Sequence, residues 1–434
     1  MAESVITNFP SQVVSDLEKV SLEYGSKIAI AIEREWFDGS SNTRYSASQR
    51  KFNKLRLYAR GEQSIQKYKD ELSINGDLSY LNLDWTPVPI ISKFVDIVVN
   101  GMAQRTYDIK AYSQDEYGMA KRTEYMEDML TDMRTREFND TAKANLNIDL
   151  YKNDPDRLPE TEEELALHMQ LTYKQQVEVA NEQAINVLLD GSKYDLIRRR
   201  CLEDLTVLGI GCVKTTFNWS EGARVEYVDP ANIVYSRTES PYFEDIYYVG
   251  EVKNIPLNEL VKEFPELTND EMETFKNKKN KLRMNDNGRD DADNNKVQVL
   301  YFNYKTYMND VYKVKTTGTG GEKAISKPDT FNPPTEKMGD YDRIQRSVEV
   351  LFEGASILGT NKLLKWKKAE NMMRSKSDFN KVKMNYSIVA PKMYEGRITS
   401  LVSRITGFAD MIQLTHLKLQ QVLSRMVPDG VYLD

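Results

Sequence analysis

The sequence predicts an α+β protein, mainly helical, with antiparallel β-hairpins in its second half and a long helix near its C-terminus. Three observations predict it. Through the first two hundred residues, apolar side chains recur every three or four positions, as they do on a helix with one buried face. Between 211 and 365 the period falls to two, and turn residues separate short runs rich in Val, Tyr and Phe. From 393 to 426 a helical repeat runs on until Pro428 ends it.

The elements follow in order. The N-terminal segment to about Gly39 is expected to be helical, with Leu17, Val20, Ile28 and Ile32 on one face. A polar link, 40–48, separates it from a helix at 51–69 that Gly61 breaks. Trp85-Thr86-Pro87-Val88-Pro89 is an extended entry, because residues before proline avoid helical angles; a helix at 91–103 follows. A charged helix is expected at 115–140 and a polar break at 152–160. Thr161 opens a further helix, with Glu164 three residues on as in a capping box, and that helix runs to Leu189. Another covers 194–208.

The period then changes. Val213, Thr215, Phe217 and Trp219 alternate with polar residues, Ser220-Glu221-Gly222 turns, and 223–228 returns as a second strand. Residues 235–252 are strand-like and 256–264 form a short helix stopped by Pro265. Residues 276–295 form a solvated linker with almost no apolar side chain. Hairpins are expected around Asn309-Asp310 and around Glu353-Gly354, with a long loop, 316–340, between them. The resulting organisation is a helical arm (1–84), a helical region (85–210), a β-rich region (211–365), a basic connector (366–392) and the long helix (393–427), with 428–434 beginning a further segment.

Composition narrows the function. With 59 basic and 66 acidic side chains the net charge is −7, so the chain as a whole lacks the basic balance of a specific DNA reader. Two cysteines, Cys201 and Cys212, give no secreted disulfide framework. No basic segment followed by an apolar run opens the chain, and no apolar stretch reaches the ~20 residues of a membrane span.

The usual chemistry is mostly missing. His168 and His416 stand alone, without HExxH spacing. Gly209-Ile210-Gly211 fails as a dinucleotide fingerprint, since Lys214 holds the third glycine position and the order is helix then strand. Gly318-Thr319-Gly320-Gly321-Glu322-Lys323 is followed by Ala324, where a phosphate loop needs Ser or Thr. Asp286, Asp290, Asp291 and Asp293 lack the closing Glu of a calcium loop. No catalytic residue, metal or cofactor is expected. Lys362, Lys365, Lys367 and Lys368 surround Trp366 and are candidate DNA-facing residues; an amphipathic segment with Leu363, Leu364 and Trp366 inward explains the same pattern.

Three stretches in this order carry a resemblance: Glu226-Tyr227-Val228-Asp229-Pro230-Ala231-Asn232-Ile233; residues 245–252 with Leu257-Asn258-Glu259-Leu260-Val261-Lys262-Glu263-Phe264-Pro265; and Ile412-Gln413-Leu414-Thr415-His416-Leu417-Lys418-Leu419 running to Val431. Together they resemble the portal proteins of tailed bacteriophages. Tyr58-Ala59-Arg60-Gly61 and Trp85 to Ile90 resemble the crAss-like branch. The resemblance implies a portal-type wing over 1–392, a first stem helix over 393–427 and the start of a clip at 428–434, with the family's second stem helix and crown lying beyond a truncated chain. It implies a dodecameric ring at one capsid vertex of the virion, assembled in the host cytoplasm. The ring acts as head-tail connector and DNA conduit for genome packaging and genome ejection. Implied partners are the major capsid protein, the terminase motor, head-tail adaptors and double-stranded DNA, with no membrane. Stem-to-stem packing would use Ile398, Leu401, Ile405, Phe408 and Ile412. Asp in place of Ile405 or Ile412 is expected to block the ring by burying an unpaired charge. Two other readings stand beside it: a tail or baseplate subunit assembled through the long helix, and an enzyme with an unrecognised carboxylate site.

Overall fold

The computed structural model describes residues 9–425, apart from 39–42, 74–82, 147, 149, 221, 269–270, 273–295, 317–321, 332–341, 371 and 376. The expected linker 276–295, most of the loop 316–340 and the segment 428–434 therefore lie outside the described residues. Helix and antiparallel sheet are mixed, as an α+β chain requires. Two compact units divide it, one of residues 1–104 with 196–434, the other of 105–195.

The first unit opens with α1 (Asp16–Val20) and α2 (Leu22–Phe37), each started by a serine whose hydroxyl accepts a backbone N–H of the first turn. Next comes α3 (Arg44–Arg60). It begins inside the expected polar link, because Thr43 caps it by accepting from Ser46 N at 3.1 Å. It ends at Gly61, in the left-handed conformation, where Pro89 presses too close for a side chain. α4 (Gln66–Leu72), the extended stretch 83–89 and α5 (Ile90–Ala103) complete this helical half.

In the second unit two expected helices are each divided. The run 115–140 becomes α6 (Glu116–Arg134) and α7 (Arg136–Leu146), separated at Thr135. Thr131 and Thr135 both turn their hydroxyls back onto carbonyls four residues earlier, a bond that competes with the helix ladder. The run from Thr161 becomes α8 (Glu162–Leu171) and α9 (Gln176–Gly191). Thr161 caps the first, and Gln175 with Glu178 forms a fresh capping box for the second. α10 (Tyr194–Val207) follows, and from Leu196 onward it belongs to the first unit.

The β half of the first unit has two main sheets. One is three-stranded, β11-β1-β2, built from β1 (Gly211–Asn218), β2 (Gly222–Tyr227) and β11 (Tyr386–Val389). The expected hairpin around residues 220–222 is its β1–β2 pair. The other sheet is six-stranded. Its path is β3 (Ile233–Tyr235), β4 (Tyr248–Pro256), β5 (Lys296–Thr316), β7 (Asp342–Ile357) and β8 (Lys362–Lys368), with β6 (Glu322–Lys327) also on β5. α11 (Leu257–Glu263) follows β4. The strand-like run 235–252 thus divides into the ends of β3 and β4, and the loop 316–340 contains β6.

Two expected hairpins do not form. Asn309-Asp310 stays inside β5, paired with Ser347 and Arg346 of β7. The Asn309 side chain accepts from Ser347 Oγ at 2.7 Å and its N–H donates to Asp16. Two polar residues that read as a turn are instead satisfied by neighbours far along the chain. Glu353-Gly354 lies inside β7, opposite Asn303 and Phe302. Gly354 is there because the Phe302 ring fills the space a Cβ would need. The reversal comes later, where Gly359 and Asn361 adopt positive φ.

β5 is apolar on both faces because both are covered; Val299, Leu300, Phe302 and Tyr304 are all buried. α2 packs on one face with Tyr24, Ile28, Ile32 and Trp36 against Phe302, Phe352 and Trp366. A second cluster joins α3, α5, the β1 segment and the C-terminal helix through Phe52, Ile91, Val95, Cys212, Val402 and Ala409. The region 366–392 holds β9 (Met373–Ser375), β10 (Asp378–Lys383) and β11.

The long helix is shorter than expected. Residues 393–398 form a small hairpin, β12 (Met393–Tyr394) with β13 (Arg397–Ile398), turned by Glu395 and Gly396, both at positive φ. The helix spans Leu401–Arg425, or about 37 Å at 1.5 Å per residue, against the roughly 50 Å expected.

Candidate functional site

The C-terminal helix Leu401–Arg425 begins at a reciprocal cap. Ser400 Oγ accepts from Ser403 N at 3.0 Å, and Ser403 Oγ accepts from Ser400 N at 2.9 Å. From there the helix presents two apolar stripes to different surroundings.

The inner stripe is Val402, Ala409, Gln413 and Leu417, all buried. Gln413 is 1% exposed, a polar residue where the spacing calls for an apolar one. Its carbonyl accepts from Val88 N at 2.9 Å and its amide donates to Thr86 O at 3.2 Å. Pro87 and Pro89 have no N–H to offer a sheet, so this glutamine takes the place of a strand partner for 86–88. One turn earlier, Asp410 accepts from Tyr58 Oη at 2.8 Å, Tyr68 Oη at 2.7 Å and Lys67 Nζ at 2.5 Å. Burial alone would raise the Asp410 carboxyl, but the hydrogen bonds from Lys67, Tyr68 and Tyr58 hold it below its ordinary value. Burial and then Asp410 push Tyr68 up to about 12. These bonds set the helix's rotation about its axis.

The outer stripe follows from that rotation. Leu401, Ile405, Phe408, Ile412, Thr415, Leu419 and Val422 alternate steps of four and three, the heptad repeat of a helix-packing seam. Leu401 and Ile405 are half-buried, whereas Phe408 is 63% exposed and Ile412 42%; Leu419 and Val422 are as open. Met411 and Leu423 widen the stripe, and Arg404 and Lys418 lie at one edge. Four of the five expected seam residues lie on this stripe. Ile398 does not: it belongs to β13 and is buried in the chain's own core.

The four lysines lie on β8, an edge strand. Lys362 pairs with Glu271 at 2.5 Å, Lys365 with Glu353 at 3.1 Å and Lys367 with Glu370 at 2.9 Å; Lys368 lines a surface cavity of about 490 Å³ beside Arg346 and Arg374. Leu363 packs against the core and Trp366 is buried in it, donating its indole N–H to Lys19 O at 3.0 Å. Lysines on a sheet edge also discourage pairing with another strand.

Of the remaining chemical candidates, Asp286, Asp290, Asp291, Asp293 and the glycine-rich run 318–321 lie outside the described residues, and the others have neighbours in the fold. His168 bonds Tyr125 Oη at 3.2 Å, and His416 bonds Gln420 at 2.9 Å. Gly209 makes the helix-to-strand turn at positive φ, with Thr399 against it. Burial pushes the Cys201 thiol up to about 11 and holds the Cys212 thiol well above its ordinary value. Among the described residues no group of three or more His, Cys, Asp or Glu is placed to hold a metal, and no helix is long and apolar enough to cross a membrane.

Sequence reasoning missed the anchors Asp410 and Gln413. For Gln413 the signal was its place on the inner stripe, between Ala409 and Leu417. Compared with known proteins, the chain matches no family model. It also matches no curated sequence.

Proposed function

We propose that this chain is a portal-type subunit, with a wing of helices and antiparallel sheet carrying the C-terminal helix as its stem. Copies of it form a ring around a DNA conduit at one capsid vertex. One observation carries the reading: the outer seam of the helix, from Phe408 to Val422, has a packing repeat and stays exposed among the described residues. Contiguous exposed apolar surface of this kind marks an association surface. Repeated head-to-tail contacts between copies close into a ring when the rotation between neighbours completes a full turn, and run on as a filament when it does not.

A conduit must not grip what passes through it. A net charge of −7 and lysines already paired with glutamates suit weak contact with phosphates. Energy for packaging comes, on this reading, from a separate terminase motor. Major capsid protein and head-tail adaptors dock on the ring's outside and end.

Light scattering and negative-stain microscopy on the purified chain test it. The expected result is a ring, twelve-fold in this family, of about twelve times the 50.1 kDa chain mass with a central hole. A monodisperse monomer, or a filament without a hole, overturns it. Ile412→Asp should leave a folded monomer. Ile405 is a poorer test site, because it also packs on the chain's own core.

A further inference from the structure

The second unit is almost without a core of its own. Among its described residues the buried apolar side chains are Met129, Ala142, Leu158 and Leu165, and none belongs to the three main clusters. α9 is the extreme case: in its sixteen residues the buried side chain is a glutamate, Glu178. Glu178 accepts from Ser113 N at 2.7 Å and Glu182 from Ala111 N at 2.9 Å, so two carboxylates fasten the helix along one side. The other side is left open. There Val177, Ala180, Ala184, Val187 and Gly191 recur in steps of three and four. Val177 is 60% exposed and Val187 71%, and nothing stands within 4 Å of where a Gly191 Cβ would be.

Resting on the ring reading, we infer that α9 is the surface that receives the C-terminal helix of the next copy, as an antiparallel two-helix seam. Three features on these helices support it. The lengths match: 177–191 and 408–422 each span five seam positions, about 21 Å of helix. The sizes complement each other: antiparallel alignment sets Phe408 against Gly191, Ile412 against Val187, Thr415 against Ala184, Leu419 against Ala180 and Val422 against Val177, so the bulkiest side chain meets the residue with none. The charges complement each other too. Residues 105–195 hold 20 acidic and 11 basic side chains, which disfavours pairing of this unit with itself, while Arg404 and Lys418 edge the C-terminal seam. Two different surfaces on one chain make a head-to-tail contact, the kind that closes into a ring.

Cysteines at facing positions test this in the full chain. Ala184→Cys and Thr415→Cys are exposed sites, whereas native Cys212 is buried and the half-buried Cys201 thiol is pushed up to about 11. Mixing the two single variants and oxidising should give disulfide-linked dimers, and the double variant a ladder of linked multimers. Val187→Lys should abolish both without shifting the melting temperature. Thr415→Cys linking to itself as efficiently, the double variant closing its disulfide within one chain, or no link at all would each overturn the inference. If rings are seen by microscopy while the 184–415 link fails, this contact falls and the ring reading stands. If no rings form, the ring reading falls with it.

Discussion

Replacing Asp410 with alanine tests what holds the C-terminal helix in its rotation. The carboxylate accepts from three donors, and removing it strands two tyrosine hydroxyls. Tyr68 is 0% exposed and Tyr58 7%, so water reaches neither readily. Each tyrosine bond to a charged acceptor is worth about 1.5–3 kcal/mol. The Lys67 pair is more than half exposed on the lysine side and adds roughly 0–1 kcal/mol. The expected loss is therefore about 3–7 kcal/mol. At roughly 2 °C per kcal/mol for a large unit, the melting temperature falls by roughly 6–14 °C. Asp410→Asn keeps one acceptor and should lose about half as much. The pH dependence has a definite sign. The folded-state carboxyl titrates below the ordinary value of 3.8, so its contribution is complete above that value and disappears as pH falls through the lower one. The gap between native chain and Asp410→Ala should be constant from pH 8 to about 5 and narrow below about pH 4. Thermal melts followed by circular dichroism across this range decide it. Melting of both variants within about 1 °C of the native chain at pH 7 would refute the anchoring role.

Gly354→Ala forces a methyl into the Phe302 ring and should cost about 1–3 kcal/mol in urea unfolding, whereas a free hairpin turn at 353–354 would tolerate it. Gln413→Leu leaves the Val88 N–H and Thr86 carbonyl unpaired and should lose about 2–3 kcal/mol by the same measurement, despite its greater apolarity. Ile412→Asp, on the open seam, should change monomer stability by less than about 0.5 kcal/mol while removing higher-order assembly on a sizing column. Native Cys201 and Cys212 should resist thiol reagents at pH 8 and react only on unfolding, because burial keeps both protonated.

Periodicity and capping chemistry are local, and they were legible by themselves. The Gly61 break, the extended prolines at 87 and 89, the hairpin around residues 220–222 and the helix after Pro256 all follow from residues within one or two turns of each other. The common face of four apolar residues on the C-terminal helix was legible for the same reason. Leu401, Ile405, Phe408 and Ile412 share a face whatever the rest of the chain does. What needed the tertiary structure were positions whose partner lies far away. Asn309-Asp310 and Glu353-Gly354 have turn composition. Pairing between β5 and β7 and the Phe302 ring decided otherwise, because a strand partner and a ring to accommodate outweigh local turn preference. Ile398 fitted the helical repeat, yet two positive-φ residues before it turned the chain into a hairpin and buried it. Which stripe of the C-terminal helix faces inward was likewise undecided in one dimension. Both stripes are apolar, and only the hydrogen bonds that Asp410 and Gln413 make with residues more than three hundred positions earlier leave one of them open.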